Sequence, residues 1–269
     1  MLFRSLWTAA RAQMADGPNA AFANEIVTAN LGDHSITGLL TYTPGQTRFR
    51  HVYALFAGSP GYGHLRSEGG VIKYGQSGNF LARARRHFVD PGTATLLVDA
   101  PSDKQGGFSL EFRSSPRYAA DVKTLIDAVD RAHGAAQWTL VGTSEGSVSV
   151  AGLGRHLGPP VTGVVMSSTL FGRSANGVGV QLADVRQIKL PVLWVHHRDD
   201  ACRATPFATA AGMAKDLGQP LIAVKGGSTA RGDPCEAYAQ HGYVGIERET
   251  IRAIVAWVET GATVAVEKN

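Results

Sequence analysis

The sequence lacks any apolar run near the roughly 18 residues that a membrane-spanning helix needs. It is also short of cysteine, with 2 residues of that type in 269. They do not form a Cys-x-x-Cys unit, which argues against a redox-active pair. Charge of either sign is modest: 26 Lys and Arg stand against 22 Asp and Glu, a net charge of +4. The basic residues are scattered and form no continuous stripe, so nucleic-acid binding is not expected. The one basic cluster, "RARRHF" (Arg83, Arg85, Arg86 and His87), reads as the solvated face of a helix. There is no internal repeat and no low-complexity linker. The chain is 44% hydrophobic and 18% charged, an ordinary globular balance, and is long enough to bury a sizeable core.

Glycine, by contrast, is abundant at 32 residues and implies many tight turns. The N-terminal stretch "MLFRSLWTAARAQMADG" pairs a basic residue with a short apolar run and a small-x-small "ARA" site. It reads as an export signal or an amphipathic leader. Residues 1–22 are therefore set apart as a leader or tail, and 23–269 are taken as one catalytic domain.

Strand and helix patterns then alternate. "EIVTANL" and "SITGLLTYTP" flank "GDH" and predict an antiparallel hairpin. "HVYALFAGSPG" is a continuous apolar run, as suits a strand buried on both faces. A helical stretch near "GNFLARARRHF" precedes a strand in "ATLLVDAPSD". In "SPRYAADVKTLIDAVDRAH", Val122, Leu125, Ile126 and Val129 recur at helical spacing. Further strands fall in "QWTLVG", "VTGVVMSST", "PVLWVHH" and "PLIAVKGG", separated by helices, with a closing helix in "IERETIRAIVAWVET". Such alternation predicts an α/β fold: a mainly parallel central sheet with helices on both faces and the hairpin at one edge. Ligands of such sheets bind at the carboxyl ends of the strands.

Those strand ends carry chemistry. "VGTSEG" is a Gly-x-Ser-x-Gly unit (Gly142, Ser144, Gly146) between a strand and a helix, the context of a nucleophile elbow. "HHRDDACRATP" offers Asp199 and Asp200, and "CEAYAQHGYVG" holds His241 just before the closing helix. The chain order is Ser, Asp, His. Read as metal ligands, His196, His197 and the two aspartates fare poorly, because adjacent residues on a strand point in different directions. No metal site is expected.

With these residues in place, the sequence resembles the α/β-hydrolase superfamily from about Glu25 onward. The resemblance implies Ser144 as nucleophile, His241 as general base and acid, and an orienting aspartate. The family's His-Gly-x-x-Asp pattern laid on "HHRDD" favours Asp200, with Asp199 left as a turn or cap residue. "HGY" at His241 is similar to the family's His-Gly-Phe. The loop "FAGSPGYG" stands where the family often has His-Gly-x-x-Gly, with Ala57 in place of the histidine. It implies an oxyanion hole made by the backbone N–H groups of Ser59 and Glu145. Tyr62 either points its hydroxyl into the site or packs as an ordinary aromatic. The Glu145 side chain either faces solvent, holds a neighbouring loop or disfavours anionic substrates.

If Asp200 and His241 meet, Cys202 and Cys235 are near neighbours. The expectation is a disulfide stapling the two loops, with two buried thiols as the alternative. A disulfide implies an oxidising compartment, periplasmic or extracellular. The segment "LFGRSANGVGVQLADVRQIKL" is too short for a multi-helix cap, and "GYGHLRSEGGVIKYGQSGN" supplies one wall of an open site. The expected activity is hydrolysis of small-molecule carboxylic esters through an acyl-enzyme, without a cofactor. The alternatives are the same triad acting as peptidase, amidase, thioesterase or acyltransferase, or a non-catalytic binding protein on the same fold.

Overall fold

The computed structural model describes residues 22–268, so the leader expected at residues 1–22 lies almost wholly outside the described residues. Nine strands form the central sheet: β1 (Ala23–Asn30), β2 (Ser35–Tyr42), β3 (His51–Phe56), β4 (Thr93–Val98), β5 (Gln137–Ser144), β6 (Val161–Thr169), β7 (Val192–His197), β8 (Leu221–Gly226) and β9 (Val266–Lys268). Their order across the sheet is β1-β2-β4-β3-β5-β6-β7-β8-β9. β1 and β2 pair antiparallel, as does β2 with β4; every other neighbouring pair is parallel. The mainly parallel sheet with an antiparallel N-terminal hairpin is thus as expected. β9 was not foreseen. It is three residues long and lies at the sheet edge, so the chain returns to the sheet after its closing helix.

Helices cover both faces: α1 (Phe80–Ala84), α2 (Pro116–His133), α3 (Gly146–His156), α4 (Phe207–Leu217) and α5 (Glu247–Thr260). α2 starts where the Ser115 hydroxyl accepts the Tyr118 N–H and Pro116 takes the first helical position, and ends at Gly134. Val122, Leu125, Ile126 and Val129 are all buried, as their spacing predicts. The sheet alternates its side chains between two cores. Val52, Ala54 and Phe56 of β3 pack with α2 and α3, whereas Tyr53 and Leu55 pack with α1 and α5. Such two-sided burial is why these strands read as unbroken apolar runs.

The basic cluster departs from expectation. Only Arg86 is exposed; Arg85 is 7% exposed and donates to Thr41 Oγ1 and the Ala82 carbonyl. α1 is five residues long and runs straight into a 3-10 turn over Arg85–Phe88. Buried Phe80, Leu81, Ala84 and Phe88 draw the turn onto the sheet and carry the arginine stem inward with it.

Candidate active site

Three strand ends converge here. β5 lies between β3 and β6, with Phe56 opposite Gly142 and Ser144 opposite Thr169. Ser144 closes β5 with a φ of 54°, a left-handed conformation rare for a residue with a side chain. It lifts the hydroxyl off the end of the strand. The turn is so tight that a Cβ on Gly142 would meet the Gly146 carbonyl, and one on Gly146 would meet the Phe56 carbonyl. Both glycines are required by the close approach of strand and helix. The strained serine persists because both neighbouring segments hold it in place.

Asp200 follows β7 and has a side chain 0% exposed. One carboxylate oxygen accepts the Cys202 N–H at 2.9 Å; the other accepts the Thr205 hydroxyl at 2.8 Å and lies 3.1 Å from His241 Nδ1. Thr205 Oγ1 also stands 3.2 Å from that nitrogen. Asp199 is exposed and donates its backbone N–H to His197 Nδ1, which leaves it as a turn residue. The structure thus pairs Asp200, rather than Asp199, with His241.

The backbone around His241 is pinned at several points. The Ser168 hydroxyl donates to the His241 carbonyl at 2.8 Å and lies 3.0 Å from the Tyr243 hydroxyl, which itself donates to the Val195 carbonyl. Arg83 donates to the Gly242 carbonyl at 2.7 Å and pairs with Glu247 at 2.9 Å. Sequence reasoning gave none of these supports, since they join residues far apart in the chain. Cys202 and Cys235 form a disulfide between residues 33 positions apart in sequence. In the chain-entropy description, closing a loop of that size stabilises by about 3–4 kcal/mol. It ties the Asp200 loop to the His241 loop, as expected.

Ser144 and His241 face one cavity of about 330 Å³, lined also by Gly58, Ser59, Gln76, Asn79, Phe80 and Tyr238. Among the described residues no hydrogen bond joins the serine hydroxyl to the imidazole, a looseness common in sites without substrate. Gly58 lies against the nucleophile: a Cβ there would come 2.9 Å from Ser144 Cβ. Gln76 Nε2 donates to the Ser59 carbonyl at 2.7 Å, and the Asp99 carboxylate accepts the Gly63 and Leu65 N–H groups. The glycine-rich segment after β3 is thereby fixed as one wall. Among the described residues neither the Ser59 nor the Glu145 N–H meets an acceptor.

The site role of Tyr62 needs correction, and the alternatives left open for the Glu145 side chain are decided in favour of holding a neighbouring loop. Tyr62 does not line this cavity; its ring packs edge-on to His64 and against the core, which is the ordinary aromatic role. Tyr238, half exposed beside the Arg83 guanidinium, supplies the aromatic at the rim instead. The Glu145 side chain does not face solvent. It is 3% exposed and turned inward, where it holds the turn Arg173–Val178 through Ser174 and Asn176. With Arg113 beside it at 3.4 Å, it is poorly placed to repel an anionic substrate.

His197 supports the acid loop, accepting the Asp199 N–H, and His196 supports the end of β6. His197 Nε2 lies 2.9 Å from the Gly226 carbonyl, and His196 Nε2 accepts the Thr169 N–H at 2.9 Å. Burial pushes the His196 pKa down to about 3, and burial next to Arg50 pushes His51 down to about 4. Both imidazoles are neutral when folded but gain a proton near 6.5 when unfolded. A depressed folded pKa of a base means that stability is complete above about pH 6.5 and falls as pH drops below it. At about pH 5 each histidine is expected to cost roughly 2 kcal/mol. Urea unfolding at about pH 8 and about pH 5 checks this. His196→Gln retains an acceptor for Thr169 and should flatten the slope; an unchanged slope would contradict the assignment.

No model of a known protein family matches the chain, and no curated protein matches its sequence. Solved structures do resemble it. An esterase from Butyrivibrio proteoclasticus is 12% identical with a TM-score of 0.58, covering 87% of this chain and 97% of its own. A dienelactone hydrolase from Anabaena variabilis is 15% identical with a TM-score of 0.54, covering 89% and 98%. An α/β serine hydrolase without a lid from Xanthomonas campestris is 14% identical with a TM-score of 0.55, covering 85% and 94%. At these identities the likeness is one of architecture, and this chain has the α/β-hydrolase fold.

Proposed function

We propose that the protein is a serine hydrolase that cleaves small carboxylic esters through an acyl-enzyme. The observation that carries this reading is the strained Ser144, placed across one cavity from a histidine whose Nδ1 is paired to an aspartate with a fully buried side chain. In the reaction, Ser144 Oγ attacks the ester carbonyl and His241 Nε2 takes its proton. Asp200 holds the imidazole in the tautomer with the proton on Nδ1 and stabilises the imidazolium. The Ser59 and Glu145 N–H groups receive the oxyanion, where a single donor is worth about 3–4 kcal/mol of barrier. The imidazolium then protonates the departing alcohol, and water repeats the sequence on the acyl-enzyme.

The esterase and lidless hydrolase neighbours support this chemistry and an open site. The disulfide supports a periplasmic or extracellular setting, because cytosolic reductants oppose such bonds. The cavity of about 330 Å³ offers short acyl groups a place and long chains little wall. Among p-nitrophenyl esters from acetyl to decanoyl, kcat/KM is expected to be highest at the short end and to fall by about tenfold or more with the longest chains. A rising trend with chain length would contradict the short-acyl reading. Turnover of amides or thioesters in preference to esters would assign the same triad to another acyl donor. A wild type that neither turns over nor reacts with a serine-directed phosphonate would favour the binding-protein alternative.

A further inference from the structure

The two oxyanion donors sit on separate segments, one after β3 and one after β5. Ser59 follows Gly58, and Glu145 follows the nucleophile; no covalent constraint fixes the distance between them. One buried side chain reaches both segments. Arg113, with 1% of its side chain exposed, lies in the short helix Leu110–Arg113 with its guanidinium over the Phe108 ring at 4.3 Å. It donates to the Pro60 carbonyl at 3.0 Å, the Ala57 carbonyl at 3.3 Å and the Gly58 carbonyl at 3.5 Å, and reaches Glu145 Oε2 at 3.4 Å. The loop rests directly on the guanidinium, since a Cβ on Gly61 would collide with it. From its other side the Glu145 carboxylate is held by Ser174 at 2.8 Å and by Asn176 at 3.0 and 3.1 Å.

A buried ion pair is a poor device for stability, because desolvation offsets its attraction and apolar groups of similar volume often do as well. A planar cation that spans three loop carbonyls and one carboxylate is, however, well suited to fixing geometry. We propose that Arg113 and Glu145 are positioning residues that clamp the Ser59 and Glu145 N–H groups at the spacing a tetrahedral oxyanion requires. This rests on the serine-hydrolase reading above. The clamp acts on the transition state and leaves ground-state binding of the ester almost untouched. Lysine is a poor replacement: Nη2 of the arginine serves the Gly58 and Pro60 carbonyls and Glu145 while Nη1 holds the Ala57 carbonyl, and a single ammonium on a shorter stem has no second nitrogen for Ala57.

The test uses Arg113→Lys, Glu145→Gln and Asn176→Ala in the full chain, with kcat expressed per phosphonate-titrated site. The titration removes any unfolded fraction from the comparison. For Arg113→Lys and Glu145→Gln, kcat for p-nitrophenyl acetate is expected to fall about 10- to 100-fold, with KM within about threefold. Binding of a short alkylboronic acid, whose tetrahedral adduct places an oxygen in the hole, should weaken in parallel with kcat/KM. Asn176→Ala leaves the buried pair intact and loosens only its outer anchor; a fall in kcat of about threefold or more is expected. If the first two variants do not fold, Asn176→Ala alone decides. Variants with wild-type kcat per site and wild-type boronate affinity would overturn the clamp while leaving the triad standing. A wild type without titratable sites would overturn the serine-hydrolase reading, and the clamp with it.

Discussion

Replacing Ser144 by alanine is expected to lower kcat for short-chain esters by about 10⁴-fold or more, with unfolding behaviour close to that of the wild type. The hydroxyl is the only atom removed, and it is the atom that forms the acyl bond. The remaining groups still bind substrate and still offer two N–H donors, so a small residual rate is expected. The elbow itself depends on the φ of 54° and on Gly142 and Gly146, not on the hydroxyl, so the local fold should survive. Alanine at a positive φ carries about the same steric cost as serine. A Ser144→Ala protein that is folded and as active as the wild type would remove the nucleophile from the mechanism.

The second large effect is expected at Asp200. Asp200→Asn keeps the side-chain volume and keeps an acceptor for the Cys202 N–H. At the other position, where a carboxylate oxygen faces His241 Nδ1 at 3.1 Å, it places an NH₂ group. A donor there favours the imidazole tautomer with the proton on Nε2, which cannot take the serine proton. It also removes the charge that stabilises the imidazolium. A fall of about 10³- to 10⁴-fold in kcat is expected. Asp199→Asn is the matched control: that side chain is exposed and only its backbone joins the loop network, so activity within about twofold of the wild type is expected. Steady-state kinetics on the two variants separate the adjacent aspartates. Equal losses, or a larger loss at Asp199, would contradict the assignment of Asp200.

Much of this was legible in the sequence because the relevant signals are local. Unbroken apolar runs mark strands buried on both faces, and Val122, Leu125, Ile126 and Val129 mark the inner stripe of α2. The Gly-x-Ser-x-Gly unit is readable as a local spacing, although only Gly142 answers to a contact inside the turn, the Gly146 carbonyl; Gly146 answers to the Phe56 carbonyl of β3. The disulfide followed once the loops of Asp200 and His241 were expected to meet.

The signals that failed are those set by tertiary packing. Arg85 looks like a surface residue until Phe80, Leu81 and Phe88 pull its turn onto the sheet. Tyr62 is near the oxyanion loop in sequence, yet its ring turns toward His64. Tyr238 reaches the cavity from the loop that also carries Cys235 and His241, and nothing in its sequence marks it as the rim aromatic. Arg113 is 32 residues from Glu145, and no periodicity links them. β9 is three residues of edge strand, too short to carry a pattern.

The central claim is that Ser144 is made nucleophilic by His241. It is tested most directly by treating the folded protein with a fluorophosphonate and mapping the adduct by peptide mass spectrometry, beside His241→Ala under the same conditions. One adduct per chain at Ser144 is expected, formed in parallel with loss of esterase activity, and labelling of His241→Ala should be slower by orders of magnitude. An active protein that forms no adduct at Ser144, or one that labels equally fast without His241, would contradict the claim.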